Sequence, residues 1–298
     1  MPAKPLKSPK AVRYIDANDP DLPKSFKVID AKTPAEAVKK MYAAMTDQEI
    51  TAVVWNQADK TLSAEAKEFM KDFSEKNSDE KLNFSYFFKE HPGGLKKGWY
   101  NYFGAGPGAY EFKRVFMDCA KYKKLDTSFI QKNPKGFKDW IKNTQDISKA
   151  LRGLFDEQMY PSVLQHNFNI VSWRVWAGKG EGFHVDFNEV RLLREATGNP
   201  TFFTAPEDAK KRPEKKRKFQ HQPIAASLPK MKDTILWRPK PHALLMFKTC
   251  LWAENHKPTP HSGPFETDKT SKADTPRFLE QWDVVIDPKK AAMPVPKR

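Results

Sequence analysis

The sequence predicts an α+β protein in which a helix-rich first half packs on or beside an all-β second half. Three observations carry this. Before Pro161, apolar residues recur at helical spacing in four separate stretches. After Pro161 the pattern changes to short runs rich in β-branched and aromatic residues, bounded by Gly, Pro, Asn and Asp. Helices that precede strands, rather than alternate with them, suggest segregated layers around a β-sandwich or barrel.

The elements follow in chain order. Residues 1–26 are rich in Lys, Pro and Asp and read as a basic arm, flexible or lying along the surface. Thr33-Pro34-Ala35-Glu36 is a capping box with Pro at the first helical position, and Val38, Met41, Tyr42 and Met45 form the apolar stripe of the helix it starts. Ile50 to Trp55 reads as a strand. Ser63 to Lys76 reads as a second helix, with Ala66, Phe69, Met70 and Phe73 facing inward. Leu82 to Phe88 alternates only in part and fits a strand or a helix. Gly93 to Gly108 is glycine-rich, but it lacks the lysine and hydroxyl of a P-loop and the spacing of a dinucleotide fingerprint, so it reads as a connecting loop. Helices are expected over Tyr110 to Lys123 and Phe137 to Met159, the second with Trp140, Ile141, Ile147, Leu151, Leu154 and Phe155 on one side.

In the second half, strands are expected over Asn167 to Trp176, Gly182 to Leu193, Thr201 to Thr204, Thr234 to Trp237, Ala243 to Lys248 and Arg277 to Ile286. The basic block from Lys210 to Lys218 falls in an insertion near 206–220 and reads as an exposed loop. The division is therefore an arm over 1–26, a helix-rich part over 27–160, a β part over 161–287 and a basic tail over 288–298.

Bulk composition bounds the function. The 298 residues suffice for one large domain or two small ones, and 21 Phe with 8 Trp supply a large aromatic core. The two cysteines, Cys119 and Cys250, argue against a disulfide scaffold and for a reducing, cytoplasmic setting, and they exclude a four-cysteine zinc site from this chain alone. No apolar run approaches the roughly 18 residues of a membrane span, and Met1 to Lys10 has no apolar signal segment. The net charge of +15 attracts nucleic acid, acidic protein or anionic lipid without sequence readout, although solvated tails and a solvated loop are the plainer account.

The chemistry concentrates in Gly182-Phe183-His184-Val185-Asp186. On a strand, His184 and Asp186 share one face while Phe183, Val185 and Phe187 share the other. With one distant histidine this becomes a 2-His-1-carboxylate set, which leaves metal positions open and suits non-haem ferrous iron. Downstream, His256 and His261 lie in a Pro-rich loop. His261 is the preferred ligand because it lies nearer Arg277 and leads into Ser262-Gly263-Pro264, and His256 is its substitute. Arg277 opens a strand, where a planar guanidinium suits two-pronged contact with a carboxylate. Arg191, Arg194 and Arg174 are the other arginines in range. The chain has no Gly-x-Ser-x-Gly elbow and no His-Glu-x-x-His helix.

On these residues the chain resembles the cupin-like iron- and 2-oxoglutarate-dependent oxygenases, whose His-x-Asp, distal His and Arg occur in that order. It is most similar to a bacterial family of uncharacterised function within that fold. The similar stretches are Ala52 to Trp55, Gly182 to Asp186, Val190 to Leu193, Gly198 to Phe202, Ala243 to Lys248, and His261 to Pro264 leading to Arg277. The resemblance implies a double-stranded β-helix (jelly-roll) core with the helical part packed on it, and Fe(2+) and 2-oxoglutarate as cofactors. It also implies His184, Asp186 and His261 as metal ligands and catalytic residues, with Arg277, and Arg191 beside it, on the co-substrate. An Asp in the carboxylate position favours hydroxylation, demethylation or desaturation over halogenation. Two other functions compete: a basic nucleic-acid-associated protein, including an oxygenase acting on nucleic acid, and a non-catalytic metal binder of the same fold.

Overall fold

The computed structural model describes residues 9–76, 82–87, 101–103, 117, 126–154, 163–171, 183–186, 190–197, 201–211, 224–227, 230–250, 252, 257–263 and 277–285. The first half contains β1 (Ala11–Tyr14), β2 (Phe26–Val28), α1 (Pro34–Met45), β3 (Ala52–Trp55), α2 (Ala64–Lys76), β4 (Leu82–Phe87), β5 (Asn101–Phe103), α3 (Ser128–Lys132) and α4 (Pro134–Leu154). The second half contains β6 (Val163–Val171), β7 (His184–Val185), β8 (Val190–Thr197), β9 (Phe202–Phe203), β10 (Lys210–Lys211), β11 (Ile224–Ser227), β12 (Ile235–Arg238), β13 (Leu244–Lys248), β14 (His261–Ser262) and β15 (Arg277–Val285).

The helices start as the sequence requires. Thr33 Oγ1 accepts the Glu36 N–H at 3.2 Å, and the Glu36 carboxylate accepts the Lys32 N–H at 2.9 Å. Such caps satisfy donors that the first helical turn leaves open, worth about 1 kcal/mol. Inward, α1 and α4 bury Val38, Met41, Ile147 and Leu151 against one side of a sheet, and α2 and α4 bury Phe69, Phe73 and Trp140 beside them.

That sheet has eight strands in the order β2-β3-β13-β8-β15-β6-β4-β5, and a second has seven in the order β1-β12-β9-β14-β7-β11-β10. The fold is thus mixed α and β, with two sheets and a helical layer. Within β13, Leu244 and Met246 join the helix-facing cluster, while Leu245 and Phe247 join Phe203 and Trp237 in the cluster between the sheets. Being covered on both faces explains why β3 and β13 read as unbroken apolar runs rather than as alternating ones.

Among the described residues, a cluster of polar side chains interrupts the helix-facing side. Arg194 of β8 is 1% exposed and ion-paired with Glu280 of β15, which is 0% exposed. Around them, Arg194 Nε donates to Glu280 at 2.6 Å, Thr144 Oγ1 at 2.7 Å and Trp140 Nε1 at 3.2 Å donate to the same carboxylate, and the guanidinium also reaches Asn143 and Thr144 of α4. Trp282 Nε1 donates to Ser148 at 2.9 Å. Buried polar groups are tolerated when each finds a partner, and here the partners dock α4 onto the sheet.

Three segments differ from expectation, and a fourth is decided between the two alternatives the sequence left open. The run Gly182 to Leu193 is not one strand: β7 lies in the seven-stranded sheet and β8 in the eight-stranded one, so the chain crosses between layers after Asp186. Periodicity misses the crossing because both strands are apolar on their core side. The insertion near 206–220 is not simply a loop. Its flanks form β10 and β11, which extend the smaller sheet beyond β7, with Ala225 opposite His184. The basic arm over 1–26 includes β1, paired in parallel with β12, and the buried Ile15 and Phe26, whose apolar surface ties it down. Leu82 to Phe87 is a strand, paired antiparallel with β6. Apart from Met117, the expected helix over Tyr110 to Lys123 lies outside the described residues, as does most of Gly93 to Gly108. No described helix is long and apolar enough to cross a membrane.

Candidate metal centre

β7 is flanked by β14 on one side and by β11 on the other. In this register His261 stands directly opposite His184. Opposed residues on neighbouring strands bring their side chains together, and the two imidazole centroids are 4.4 Å apart. Asp186 follows β7, its backbone carbonyl accepting the Cys250 N–H at 3.1 Å. Two short strands therefore deliver three donors to one place, and ligand atoms of His184, Asp186 and His261 all lie within 4.8 Å of one another. Donors bound at about 2.0–2.2 Å from one ion stand roughly 3–4 Å apart, so shifts of under ~1 Å close this set around a cation.

The surroundings favour that use. His261 is buried, with Phe203 stacked beside its ring and Phe247 edge-on at 4.9 Å. Burial lowers the His261 pKa, against the opposing pull of Asp186, so the imidazole is held neutral with a lone pair to give. Its Nδ1 lies 3.3 Å from the Thr259 carbonyl, which can take the ring proton and leave Nε2 for a metal. His261 Nε2 is 2.8 Å, and His184 Nε2 3.6 Å, from the Asp186 carboxylate. Burial alone would raise the Asp186 pKa, but Arg191 and His261 outweigh it and hold the carboxyl well below the usual range. Only His184 is partly open, with 29% of its side chain exposed. Access is therefore from the His184 side.

Arg191, from the start of β8, contacts the Asp186 carboxylate and also spans Asp283 of β15 through Nε at 2.6 Å and Nη2 at 3.1 Å. Gln281 Nε2 donates to Asp283 at 2.7 Å. Among the described residues, the carboxylates of Asp186 and Asp283 and the guanidinium between them lie beside the donors, and an anionic carboxylate there attracts a divalent cation.

The expected ligands His184, Asp186 and His261 are thus brought together. His256 and Arg174 lie outside the described residues. Arg277 opens β15 in register with Val171 of β6. Arg194, another arginine in range, is committed to Glu280 on the helix side of the sheet and is no co-substrate anchor. Sequence reasoning missed Asp283 and Gln281. Their signal was faint: polar residues at alternate positions of a strand that also carries Arg277 and Glu280 among Phe278, Leu279 and Trp282.

No family model and no curated protein matches the sequence. Solved structures do match at very low identity. One is the 2-oxoglutarate binary complex of dioxygenase for auxin oxidation 1 from Arabidopsis thaliana, at 9% identity over 87% of this chain and 91% of that chain, with a TM-score of 0.40. Another is the dioxygenase for auxin oxidation in rice, at 11% identity over 87% of this chain and 83% of that chain, with a TM-score of 0.40. A third is the Fe(II)/α-ketoglutarate-dependent dioxygenase TqaL, at 9% identity over 85% of this chain and 87% of that chain, with a TM-score of 0.36. Likeness at this level carries no weight for fold or function.

Proposed function

We propose that this chain is a non-haem iron, 2-oxoglutarate-dependent oxygenase of the hydroxylase or demethylase type. The observation that carries the reading is the convergence of His184, Asp186 and His261, with donor atoms within 4.8 Å and one side open. Two imidazoles and one carboxylate fit ferrous iron by donor type and leave positions for other ligands. The strand path agrees with a double-stranded β-helix. From β6 to β9 the chain alternates between the two sheets, β12 to β15 do so again, and the four strands β6-β15-β8-β13 face β7-β14-β9-β12.

Bound ferrous iron with 2-oxoglutarate would supply oxidation of a substrate C–H bond by dioxygen. This chain's residues would hold and orient. His184 and His261 offer neutral nitrogens and Asp186 an anionic oxygen. Phe203 and Phe247 exclude water behind His261. Arg277, which opens β15, remains the proposed partner of the co-substrate's far carboxylate, where a planar guanidinium suits two-pronged contact.

Anaerobic titration with ferrous iron and then 2-oxoglutarate tests the reading. A weak visible charge-transfer band should appear and be lost in His184→Ala and Asp186→Ala, and the enzyme should form succinate under air. Iron binding with neither band nor succinate would leave a metal-binding module instead. Arg277→Ala should raise the 2-oxoglutarate concentration needed for the band without lowering iron affinity.

A further inference from the structure

We infer that Arg191 and Asp283 form a positioning pair for the metal carboxylate. Arg191 is thereby placed in metal-ligand orientation rather than in co-substrate recognition. The inference rests on the metal-site reading above and concerns which Asp186 oxygen faces the ion.

The geometry is specific. Asp186 follows a strand of only two residues, His184–Val185, so the ladder itself gives it little rigidity. Arg191 holds Oδ2, the oxygen that lies 2.8 Å from His261 Nε2, whereas Oδ1 is the oxygen nearer His184. The guanidinium is in turn fixed by the two-pronged contact to Asp283, at 2.6 and 3.1 Å, and Gln281 fixes Asp283 at 2.7 Å. Asp283 and Arg191 face each other in the β15–β8 ladder, deep in the eight-stranded sheet. A carboxylate in the smaller sheet is thus oriented by a chain of bonds anchored in the larger one. A guanidinium occupied by two carboxylates is preorganised for orientation. Partners of this kind characteristically change metal affinity by about 10- to 100-fold when removed.

The test is titration of the full-length protein with Co(2+) alone, read by calorimetry and by the visible d–d spectrum, for wild type, Arg191→Gln, Arg191→Lys, Asp283→Asn and the Arg191→Gln/Asp283→Asn double variant. Metal-free melting curves verify that each variant is folded. Arg191→Gln should weaken Co(2+) binding about 10- to 100-fold and alter the spectrum. Arg191→Lys should recover part of the affinity. Asp283→Asn should weaken binding too, and the double variant should lose less than the product of the single losses, because both act on the same oxygen. Wild-type affinity and an unchanged spectrum in Arg191→Gln would overturn the inference, as would fully independent losses. If Arg191→Gln fails to fold, Asp283→Asn decides in its place: weakened binding supports the pair, and wild-type affinity overturns it. Failure of wild type to bind Co(2+) would instead sink the metal-site reading beneath it.

Discussion

Replacing Arg194 with Leu removes one half of the most deeply buried ion pair among the described residues. Glu280 is 0% exposed, so its charge cannot turn to water. After the change its carboxylate keeps Thr144 Oγ1 at 2.7 Å and Trp140 Nε1 at 3.2 Å but loses the Arg194 guanidinium. The Asn143 carbonyl also loses its guanidinium donor. Breaking a buried pair from one side costs about 3–5 kcal/mol, against a total of roughly 5–15 kcal/mol for a typical folded domain. Adding Glu280→Leu removes the stranded charge. The remaining cost is then the hydrogen bonds that Thr144, Asn143 and Trp140 made to the pair, and the double variant should be at least ~2 kcal/mol more stable than the sum of the single losses. Urea unfolding followed by tryptophan fluorescence reads both, and the single change should lower the midpoint by roughly 1 M or more at unchanged slope. A loss below about 1 kcal/mol for Arg194→Leu, or strict additivity in the double variant, would refute the reasoning.

Three further outcomes are expected. His242 adopts a left-handed φ of 62°, its Nδ1 is buried without a hydrogen bond, and burial, with help from Arg194 and Lys67, lowers its pKa to about 4. The unfolded chain therefore binds the extra proton first, and stability contributed here falls as pH drops from 6.5 to about 4, by about 3 kcal/mol. His242→Asn, which tolerates that backbone, should flatten the stability–pH curve in this window relative to wild type. Thr33→Ala should cost about 1 kcal/mol in thermal or urea unfolding by uncapping α1. Gly136→Ala would press a methyl group onto the Glu65 carbonyl, where α4 starts against α2, and should cost about 1–3 kcal/mol; wild-type stability would show that this helix contact can slide.

Much of the architecture was legible because single residues carry strong local signals. Thr33 and Pro34 mark the start of α1, and the stripe Ala66, Phe69, Met70, Phe73 marks the buried face of α2. Two of the three candidate ligands were legible because alternation puts His184 and Asp186 on one face, while His261 is preferred over His256 by its place before Ser262-Gly263-Pro264 and Arg277. What stayed hidden depends on contacts distant in sequence. Neither the crossing after Asp186 nor the pairing of Arg191 with Asp283 follows from a local period, since one depends on which sheet captures each half-strand and the other joins positions far apart in the chain. Arg194 and Arg191, both on β8, were indistinguishable as charges. Only the strand's parity decides that one meets α4 and the other meets the ligands.

The short N-terminal strands reach further than their size suggests. β1 closes the edge of the seven-stranded sheet against β12, and β2 closes the edge of the eight-stranded sheet against β3. An expression fragment beginning after Val28 would therefore expose two bare edges at once. One of them is Ala52-Val53-Val54-Trp55, four buried apolar residues with unsatisfied backbone donors and acceptors. Such an edge recruits another chain, so insolubility of a shortened protein would report lost edge protection rather than a damaged site.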